Sequence, residues 1–187
     1  MDVWQEPLHP WLVAEKAAIR AWVETLQRPY LGVCLGHQLL ASALGGEVGP
    51  AARGEVGVLP VTLAAAGRAH PFFHDVPVDF ECLQWHGAEV LRPPAAAEVL
   101  AHSDACPVQA LAWGRHAFSF QFHVEVIATT VDDWNAIPAY RDALAQHLGE
   151  DGTASFRAAV AARMPAFNAL ARTLYDNWRR TAFATSA

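Results

Sequence analysis

The order of the predicted elements indicates an α/β fold in a single domain of 187 residues. An amphipathic helical pattern precedes a short apolar strand, and a second helix follows that strand directly. A run of short strands comes next, and Ala-rich helical segments close the chain. This order of helices and strands is typical of a sheet flanked by helices. We therefore predict that residues 1–130 form the α/β core and residues 131–187 a helical tail.

The first helix is predicted over residues 10–27, because proline is well tolerated in the first turn of a helix. Its apolar side chains recur at the spacing of a one-sided amphipathic helix. They are Leu12, Ile19, Val23 and Leu26. Arg28 and Pro29 end the helix, and residues 30–33 follow as an apolar strand typical of a buried parallel sheet. A second helix is predicted over residues 36–44, capped by two glycines at 45–46.

The middle of the chain is predicted to be rich in strands. Alternating or apolar segments separated by turn residues predict strands at 56–63, 78–84, 99–102, 108–113 and 117–122. From residue 131 onward, terminal helices are predicted, with breaks at Pro138, at residues 149–152 and at Pro165. The stretches 93–94 and 150–152 are predicted loops, too short to link two domains.

Composition excludes several classes of protein. With a formal net charge of −6 and no block of like charge, the chain is not expected to bind nucleic acid non-specifically. Three cysteines without paired spacing suit a reducing compartment, so we expect a cytoplasmic protein. No uninterrupted run of about 18 apolar residues occurs, and the start lacks a signal-peptide pattern, so no membrane partner is expected.

A cysteine stands between two glycines in the stretch GVCLG at residues 32–36. A strand, the pattern G-x-C-x-G and a helix are the layout of a nucleophile elbow, whose tight turn leaves no room for a Cβ on the neighbouring residues. The helix N-terminus beside Cys34 favours the thiolate, and the backbone N–H of Leu35 could face a developing oxyanion. The alternative is that Cys34 is a small buried apolar residue, as most intracellular cysteines are.

A histidine and a glutamate suited to assist this thiol follow the last predicted strand, in the stretch FQFHVEV at residues 120–126. His123 and Glu125 are two residues apart, so in an extended segment they point to the same side. Glu125 could hold the imidazole in one tautomer while His123 takes the proton of Cys34. The alternative is an exposed pair at a strand end.

Three stretches together resemble the class I, triad-type glutamine amidotransferases, especially stand-alone members similar to the amidotransferase part of GMP synthase. They are GVCLGHQLLASALGG at 32–46, QWHGAEV at 84–90 and FQFHVEV at 120–126. The resemblance covers nearly the whole chain. It implies a flavodoxin-like fold with a mostly parallel sheet. No cofactor is expected.

The same resemblance implies the role of each site residue. Cys34 would attack the side-chain amide of glutamine, form a γ-glutamyl thioester and release ammonia, with His123 as general base and then acid. Glu125 would support the histidine, and Leu35 would give one oxyanion N–H. The remaining residues would bind glutamine, the last three through their backbone: Gln38, Trp85, Gly87 and Ala88.

Two departures from the family pattern stand out. Val124 occupies a position where relatives commonly carry proline, which removes no reacting group. Family members also begin with a strand, a helix and a strand that lead into a Gly-Gly-Pro loop, which supplies the other oxyanion N–H. Residues 1–4 resemble the segment directly after that loop, so we expect the N-terminal βαβ portion to be missing. An exposed sheet edge beside the first strand would result.

Other histidines and cysteines are expected to be structural. The family uses the distant His123, so His37 is assigned to packing, and a hydrogen bond of His86 is expected to hold the substrate-binding loop. Cys82 is expected in the core and Cys106 in a loop. Cys34, His37, His86 and His123 could be considered as a zinc-binding set. Their spacing matches no familiar zinc pattern, so no metal site is predicted.

Three functions stay open from the sequence. The first is a glutaminase that passes ammonia to a separate synthetase partner, or the γ-glutamyl group to an acceptor, because the chain has no phosphate-binding loop of the type G-x-x-x-x-G-K-[ST]. The second is a stand-alone γ-glutamyl peptide or amine hydrolase with the same triad. The third is a non-catalytic or partner-binding fragment.

Overall fold

A computed structural model describes residues 1–149 and 152–184. The helices are α1 (Trp11–Arg20), α2 (Leu35–Ala43), α3 (Ala65–Ala69), α4 (Thr130–Asn135), α5 (Pro138–Leu148) and α6 (Gly152–Ala182). The strands are β1 (Tyr30–Val33), β2 (Glu47–Leu63), β3 (Asp79–Arg92), β4 (Ala97–His102), β5 (Ala110–Trp113) and β6 (Ala117–Phe120). A π-helical turn (Ala21–Thr25) extends α1, and a 3₁₀ turn (Pro71–Phe73) follows α3. None of the helices within these residues is long and apolar enough to cross a membrane.

The strands form one sheet in the order β1-β6-β5-β4-β2-β3. The α/β class is confirmed, but the prediction of a mostly parallel sheet is wrong for the described strands. Only β1 and β6 pair in parallel, and the other neighbouring pairs are antiparallel. The turn between β5 and β6 spans only residues 114–116. Such a short connection reverses the chain, whereas a parallel pair needs a long crossover.

Two apolar cores lie on opposite faces of the sheet, because neighbouring residues of one strand point to opposite sides. Ala117 belongs to the core that α1 and α2 form with the sheet, together with Leu12 and Leu40. Phe118, its neighbour in β6, belongs to the other core, which includes Phe167 of α6. β1, which carries the predicted nucleophile at its end, therefore runs between helices of both layers.

The predicted helices differ from the structure in two places. The first helix is confirmed, but Leu26 is 55% exposed, because the chain leaves α1 through the π-helical turn, where the N–H of Leu26 bonds to Ala21. The predicted break at Pro165 is wrong, since α6 continues through it. Apolar side chains of α6 pack on the sheet at both sides of this proline, and such packing outweighs a local cost of about 3 kcal/mol. The predicted break and loop around residue 150 lie partly outside the described residues.

Strands β2 and β3 are longer than the sequence pattern predicts. β2 already begins at Glu47 and β3 continues to Arg92, so residues 84–90, which we predicted as a substrate-binding loop, lie within a strand. Pro50 and Gly54 lie within β2, but proline and glycine are common in turns. The sequence pattern therefore did not predict a strand over residues 47–55. The long antiparallel pairing stabilises both segments, with Glu55 opposite His86 and Val56 opposite Trp85.

Candidate active site

Cys34 lies in the sharp turn between β1 and α2. Its backbone has φ +50° and ψ −104°, a strained conformation for a residue with a side chain. The turn is held because the N–H of Cys34 donates to the carbonyl of Phe120 (2.9 Å), while its own carbonyl accepts from the N–H groups of His37 and Gln38. The thiol is partly exposed at the start of α2. This is the geometry of a nucleophile elbow.

The two glycines of the elbow have different roles. A Cβ on Gly32 would lie 2.7 Å from the backbone C and O of Gly36, so a side chain cannot be accommodated there. A Cβ on Gly36 would meet only the hydroxyl of Tyr30 at 3.6 Å, an ordinary contact. The predicted steric need for glycine therefore holds at position 32 and is wrong at position 36. Instead, the carbonyl of Gly36 accepts a hydrogen bond from Tyr30 (2.9 Å).

His123 and Glu125 lie just beyond β6, and the imidazole of His123 faces Cys34. Two backbone hydrogen bonds with Leu83 of β3 hold the histidine in place. Its Nδ1 donates to Oε1 of Glu125 at 2.6 Å, which leaves Nε2 for the thiol. Burial opposes protonation of the ring, but hydrogen bonds and charge interactions with Cys34 and Glu125 outweigh it and raise the pKa of His123 to about 9.

The carboxylate of Glu125 is stabilised by donors on both oxygens. Burial raises its pKa, but the hydrogen bond and the charge of His123 dominate, so the net pKa lies below its ordinary value. The second oxygen, Oε2, accepts the backbone N–H of Val124 at 3.0 Å. A proline at that position has no N–H to donate. The departure at Val124, which looked neutral in sequence, therefore adds a hydrogen bond to the site.

A small cavity of about 180 Å³ opens beside the thiol. Its lining includes all of the predicted nucleophile, oxyanion and substrate-binding residues, namely Cys34, Leu35, Gln38, Trp85, Gly87 and Ala88. An added Cβ on Gly87 would meet nothing within 4 Å, as expected for backbone that faces open space. Met1, Asp2, His86 and Tyr140 complete the lining.

A chain of side-chain amides connects one wall of this cavity to the sulfur. Nε2 of Gln38 donates to the carbonyl of Ala88 (3.3 Å) and to Oε1 of Gln121 (3.0 Å). Nε2 of Gln121 then donates to Sγ of Cys34 at 3.5 Å. Sequence analysis did not select Gln121, although it is two residues from His123 and so shares its side of an extended segment.

The helical tail also contributes to the site, which sequence analysis did not specify. The indole of Trp134 in α4 packs edge-on against the imidazole of His123, with 4.7 Å between ring centroids. Trp134 in turn contacts Trp85 and Tyr140. These aromatic residues cover the histidine and one side of the cavity. Helical or strand periodicity does not bring residues 123 and 134 to the same side of one element, so only the tertiary structure reveals their contact.

Behind the cavity, the buried carboxylate of Glu55 holds the segment that carries Ala88. It accepts hydrogen bonds from Ser103 (2.8 Å), Gln109 (2.7 Å) and Nε2 of His86 (3.1 Å). Nδ1 of His86 contacts the carbonyl of Ala88 at 3.0 Å. Both partners of this ring, Oε2 of Glu55 and the carbonyl oxygen of Ala88, are hydrogen-bond acceptors. The expected fixing role of His86 thus has a definite partner.

Glu55, His86 and Cys106 also bring three potential metal-ligand atoms within 4.8 Å of one another. Both oxygens of Glu55 are already occupied by protein donors, so hydrogen bonding accounts for the cluster. His37 lies elsewhere, fully buried, with Nδ1 on Ser119 and Nε2 on the carbonyl of Val108. Burial lowers its pKa to about 3, as expected for a structural, neutral histidine.

Comparison with known proteins gives the family. A model described as glutamine amidotransferase class-I matches residues 6–134. A glutamine-hydrolyzing GMP synthase subunit of Methanocaldococcus jannaschii is 41% identical over 102 residues, which are 54% of this chain and 53% of that protein. Gamma-glutamyl peptidase 2 of Arabidopsis thaliana is 30% identical over 116 residues, covering 62% of this chain and 46% of the peptidase. The chain spans about half the length of these curated relatives.

Solved structures agree with this result. A glutamine amidotransferase from Thermotoga maritima superposes with a TM-score of 0.82 at 28% identity, covering 98% of this chain and 75% of that one. A glutamine amidotransferase from Methylobacillus flagellatus has the same fold, with a TM-score of 0.80 at 24% identity, covering 95% of this chain and 72% of that one. The flavodoxin-like fold is thereby confirmed. Because the family model covers most of its length, the chain belongs to the class I glutamine amidotransferase family.

Proposed function

We propose that this chain hydrolyses the side-chain amide of glutamine with Cys34 as nucleophile. The observation that carries the proposal is the arrangement at the elbow. A partly exposed thiol with a strained backbone stands at a helix N-terminus, within hydrogen-bonding reach of a histidine that is itself paired with a carboxylate. A nucleophile, a base and an orienting group in this order are what covalent acyl transfer requires.

The first half of the reaction follows from the protonation states. With a pKa of about 9, His123 is an imidazolium at neutral pH, and its positive charge lies beside the sulfur that must attack as a thiolate. The sulfur adds to the amide carbon, and the carbonyl oxygen becomes an oxyanion that accepts the N–H of Leu35. His123 then donates its proton to the departing nitrogen. The C–N bond breaks, ammonia leaves, and a γ-glutamyl thioester stays on Cys34.

In the second half, water replaces ammonia. The neutral His123 takes a proton from the water, whose oxygen adds to the thioester carbon. Collapse of the tetrahedral intermediate breaks the C–S bond and restores the thiolate–imidazolium pair. Glutamate leaves, and its new carboxyl group loses its proton to solvent. Glu125 keeps the proton on Nδ1 throughout and stabilises the imidazolium each time it forms.

The dimensions of the cavity support a small substrate. Its volume of about 180 Å³ lies below the roughly 300–1,000 Å³ of sites for drug-sized ligands, and suits a single amino acid. Gln38 and the backbone of Trp85, Gly87 and Ala88 would hold the amino-acid end of glutamine. The released ammonia would then pass to a separate synthetase partner, a proposal supported by the likeness to a glutamine-hydrolyzing GMP synthase subunit.

A second candidate is hydrolysis of γ-glutamyl peptides or amines by the same residues. The likeness to gamma-glutamyl peptidase 2 of Arabidopsis thaliana favours it. In that reaction the leaving group is an amine larger than ammonia and must extend out of the cavity, past Asp2 and Tyr140 in its lining. The two functions differ in what occupies the space beyond the scissile bond, so comparing substrates separates them.

The test is covalent labelling with a diazo-ketone analogue of glutamine, followed by intact-mass measurement and peptide mapping. We expect one adduct, on Cys34. Cys106→Ser is the matched control that keeps labelling, and Cys34→Ser is the variant that loses it. No adduct on a folded chain would contradict the proposal and favour a non-catalytic, partner-binding role. Faster turnover of a γ-glutamyl anilide than of glutamine would favour the second candidate.

A further inference from the structure

Gln121 is a buried polar side chain at the nucleophile. It has no exposed surface and is held at the backbone by a hydrogen bond from its N–H to the carbonyl of Gln109 (2.8 Å). Its side-chain Nε2 is 3.5 Å from Sγ of Cys34. A buried amide is costly unless its donors and acceptors are used. At this position its donor is directed to the sulfur.

The direction of this amide is determined by its neighbours. The carbonyl of Ala88 can only accept, so Gln38 must turn its NH₂ toward it. The same NH₂ faces Gln121, which must therefore present its oxygen, Oε1, to Gln38. Its own NH₂ is then left for the sulfur of Cys34. Reversing either amide would set two donors or two acceptors against each other.

We propose that Gln121 is a further catalytic residue, a neutral donor that stabilises the Cys34 thiolate and aims it into the cavity. The inference rests on the proposed function. His123 must give up its proton to the leaving group, and it then ceases to stabilise negative charge on sulfur. Gln121 does not titrate, so its hydrogen bond to sulfur persists through every step, including the departure of the thiolate from the thioester.

Several other groups surround the sulfur and also affect its charge. His123 lies beyond β6 with Glu125 behind it, and Tyr140 approaches from α5. Asp2 lines the same cavity. A test of Gln121 must therefore leave these groups unchanged and measure the sulfur directly.

The test substitutes methionine, which has nearly the shape of glutamine but no donor. Gln121→Met is compared with Gln84→Met, because Gln84 is equally buried and donates Nε2 to a sulfur, that of Cys82, at 3.7 Å, away from the cavity. The rate of alkylation of Cys34 by iodoacetamide is measured against pH by intact mass. For Gln121→Met we expect the midpoint of the profile to rise by about one pH unit, a tenfold loss of thiolate below the midpoint. Gln84→Met should leave the profile in place.

The outcomes separate this inference from the proposed function, because iodoacetamide needs no glutamine pocket. An unchanged profile in Gln121→Met overturns the inference, even where the diazo-ketone labels the wild type. A raised midpoint supports it, even where glutamine is not hydrolysed. If Gln121→Met does not fold, Gln121→Glu keeps the acceptor for Gln38 and replaces the donor by an anion. Its midpoint should rise further, and an unchanged or lower midpoint would overturn the inference.

Discussion

Among the residues that the structure describes, two buried glutamines donate to cysteine sulfurs, and one of the two thiols has the surroundings of a nucleophile. Gln84 contacts Cys82 at 3.7 Å inside the core, and Gln121 contacts Cys34 at 3.5 Å beside the cavity. Burial, with the charges of Glu55 and Glu81, raises the pKa of Cys82 well above its ordinary value. A single amide donor does not offset complete burial.

Both thiols contact a glutamine amide, but Cys34 differs from Cys82 in three other respects. It stands in a strained turn at the start of α2, it is partly exposed, and a protonatable histidine faces it. Cys82 lies in the middle of β3 and is fully buried. Its described surroundings contain no helix terminus, no opening to solvent and no protonated histidine. The comparison indicates that position in the fold, rather than residue type or one hydrogen bond, gives a thiol the surroundings of a nucleophile.

The largest expected effect comes from exchanging the sulfur itself. Cys34→Ser should lower glutamine hydrolysis by about 10⁴-fold or more, because loss of a nucleophile removes the covalent route. Cys82→Ala is the matched change in the core. It should keep the activity and lower the free energy of unfolding by about 1 kcal/mol. Glutamate formation and denaturant unfolding are the measurements. Comparable turnover in Cys34→Ser would refute the assigned nucleophile.

Removing the charge behind the histidine should have the next largest effect. Glu125→Gln keeps the shape of the side chain but replaces the charged carboxylate beside the Nδ1 proton with a neutral amide, and should lower kcat by about 10²–10⁴-fold. The pKa of His123 should fall from about 9 toward its ordinary value. NMR titration of the ring checks this shift. Glu81→Gln, at a distance from the cavity, serves as control, and equal loss in both variants would argue against a specific role.

The backbone of the elbow can be tested with its two glycines. Gly32→Ala places a Cβ against backbone atoms of Gly36 at 2.7 Å and should lower the free energy of unfolding by about 1–3 kcal/mol. Gly36 lies in α2, and a Cβ there meets only the hydroxyl of Tyr30 at an ordinary distance. Gly36→Ala should therefore leave the free energy of unfolding unchanged or raise it by about 0.5–1 kcal/mol. Denaturant unfolding of both variants is the measurement. Equal losses of stability would show that the turn, rather than the close approach at position 32, demands glycine.

A smaller effect is expected for the hydrogen bond that Val124 contributes. Val124→Pro removes the backbone N–H that Oε2 of Glu125 accepts, and activity should fall by about three- to tenfold. Val124→Ala keeps this N–H and controls for the lost side chain, which is buried. Steady-state kinetics of the two variants decide the matter. Similar rates in the proline and alanine variants would show that the hydrogen bond is dispensable.

A last prediction concerns the dependence of the free energy of unfolding on pH. The folded-state pKa of His123, about 9, is above its ordinary value of 6.5, so its protonation stabilises the fold fully below pH 6.5. This contribution should disappear as pH rises through 9. Unfolding of the wild type and of His123→Gln should therefore differ most at pH 6 and converge above pH 9. A difference that grows with pH would contradict the assigned partners.

Local patterns allowed the residues of the proposed active site to be selected, because each part of that site depends on short-range geometry. The elbow needs only a strand, a tight turn and a helix in succession, and His123 and Glu125 need only alternation in an extended segment. Contacts between distant segments could not be predicted in this way. Gln121 with Gln38, and Trp134 with His123, are joined by the fold alone.

The sequence by itself determined the α/β class, the family resemblance and the positions of the thiol, imidazole and carboxylate. The tertiary structure alone decided that the described sheet is mixed, that residues 84–90 form a strand, and that Pro165 does not interrupt α6. The physical reason is the same in each case. Strand pairing and core packing are summed over many distant contacts, and together they outweigh the local preference of a proline, a glycine or a short polar stretch.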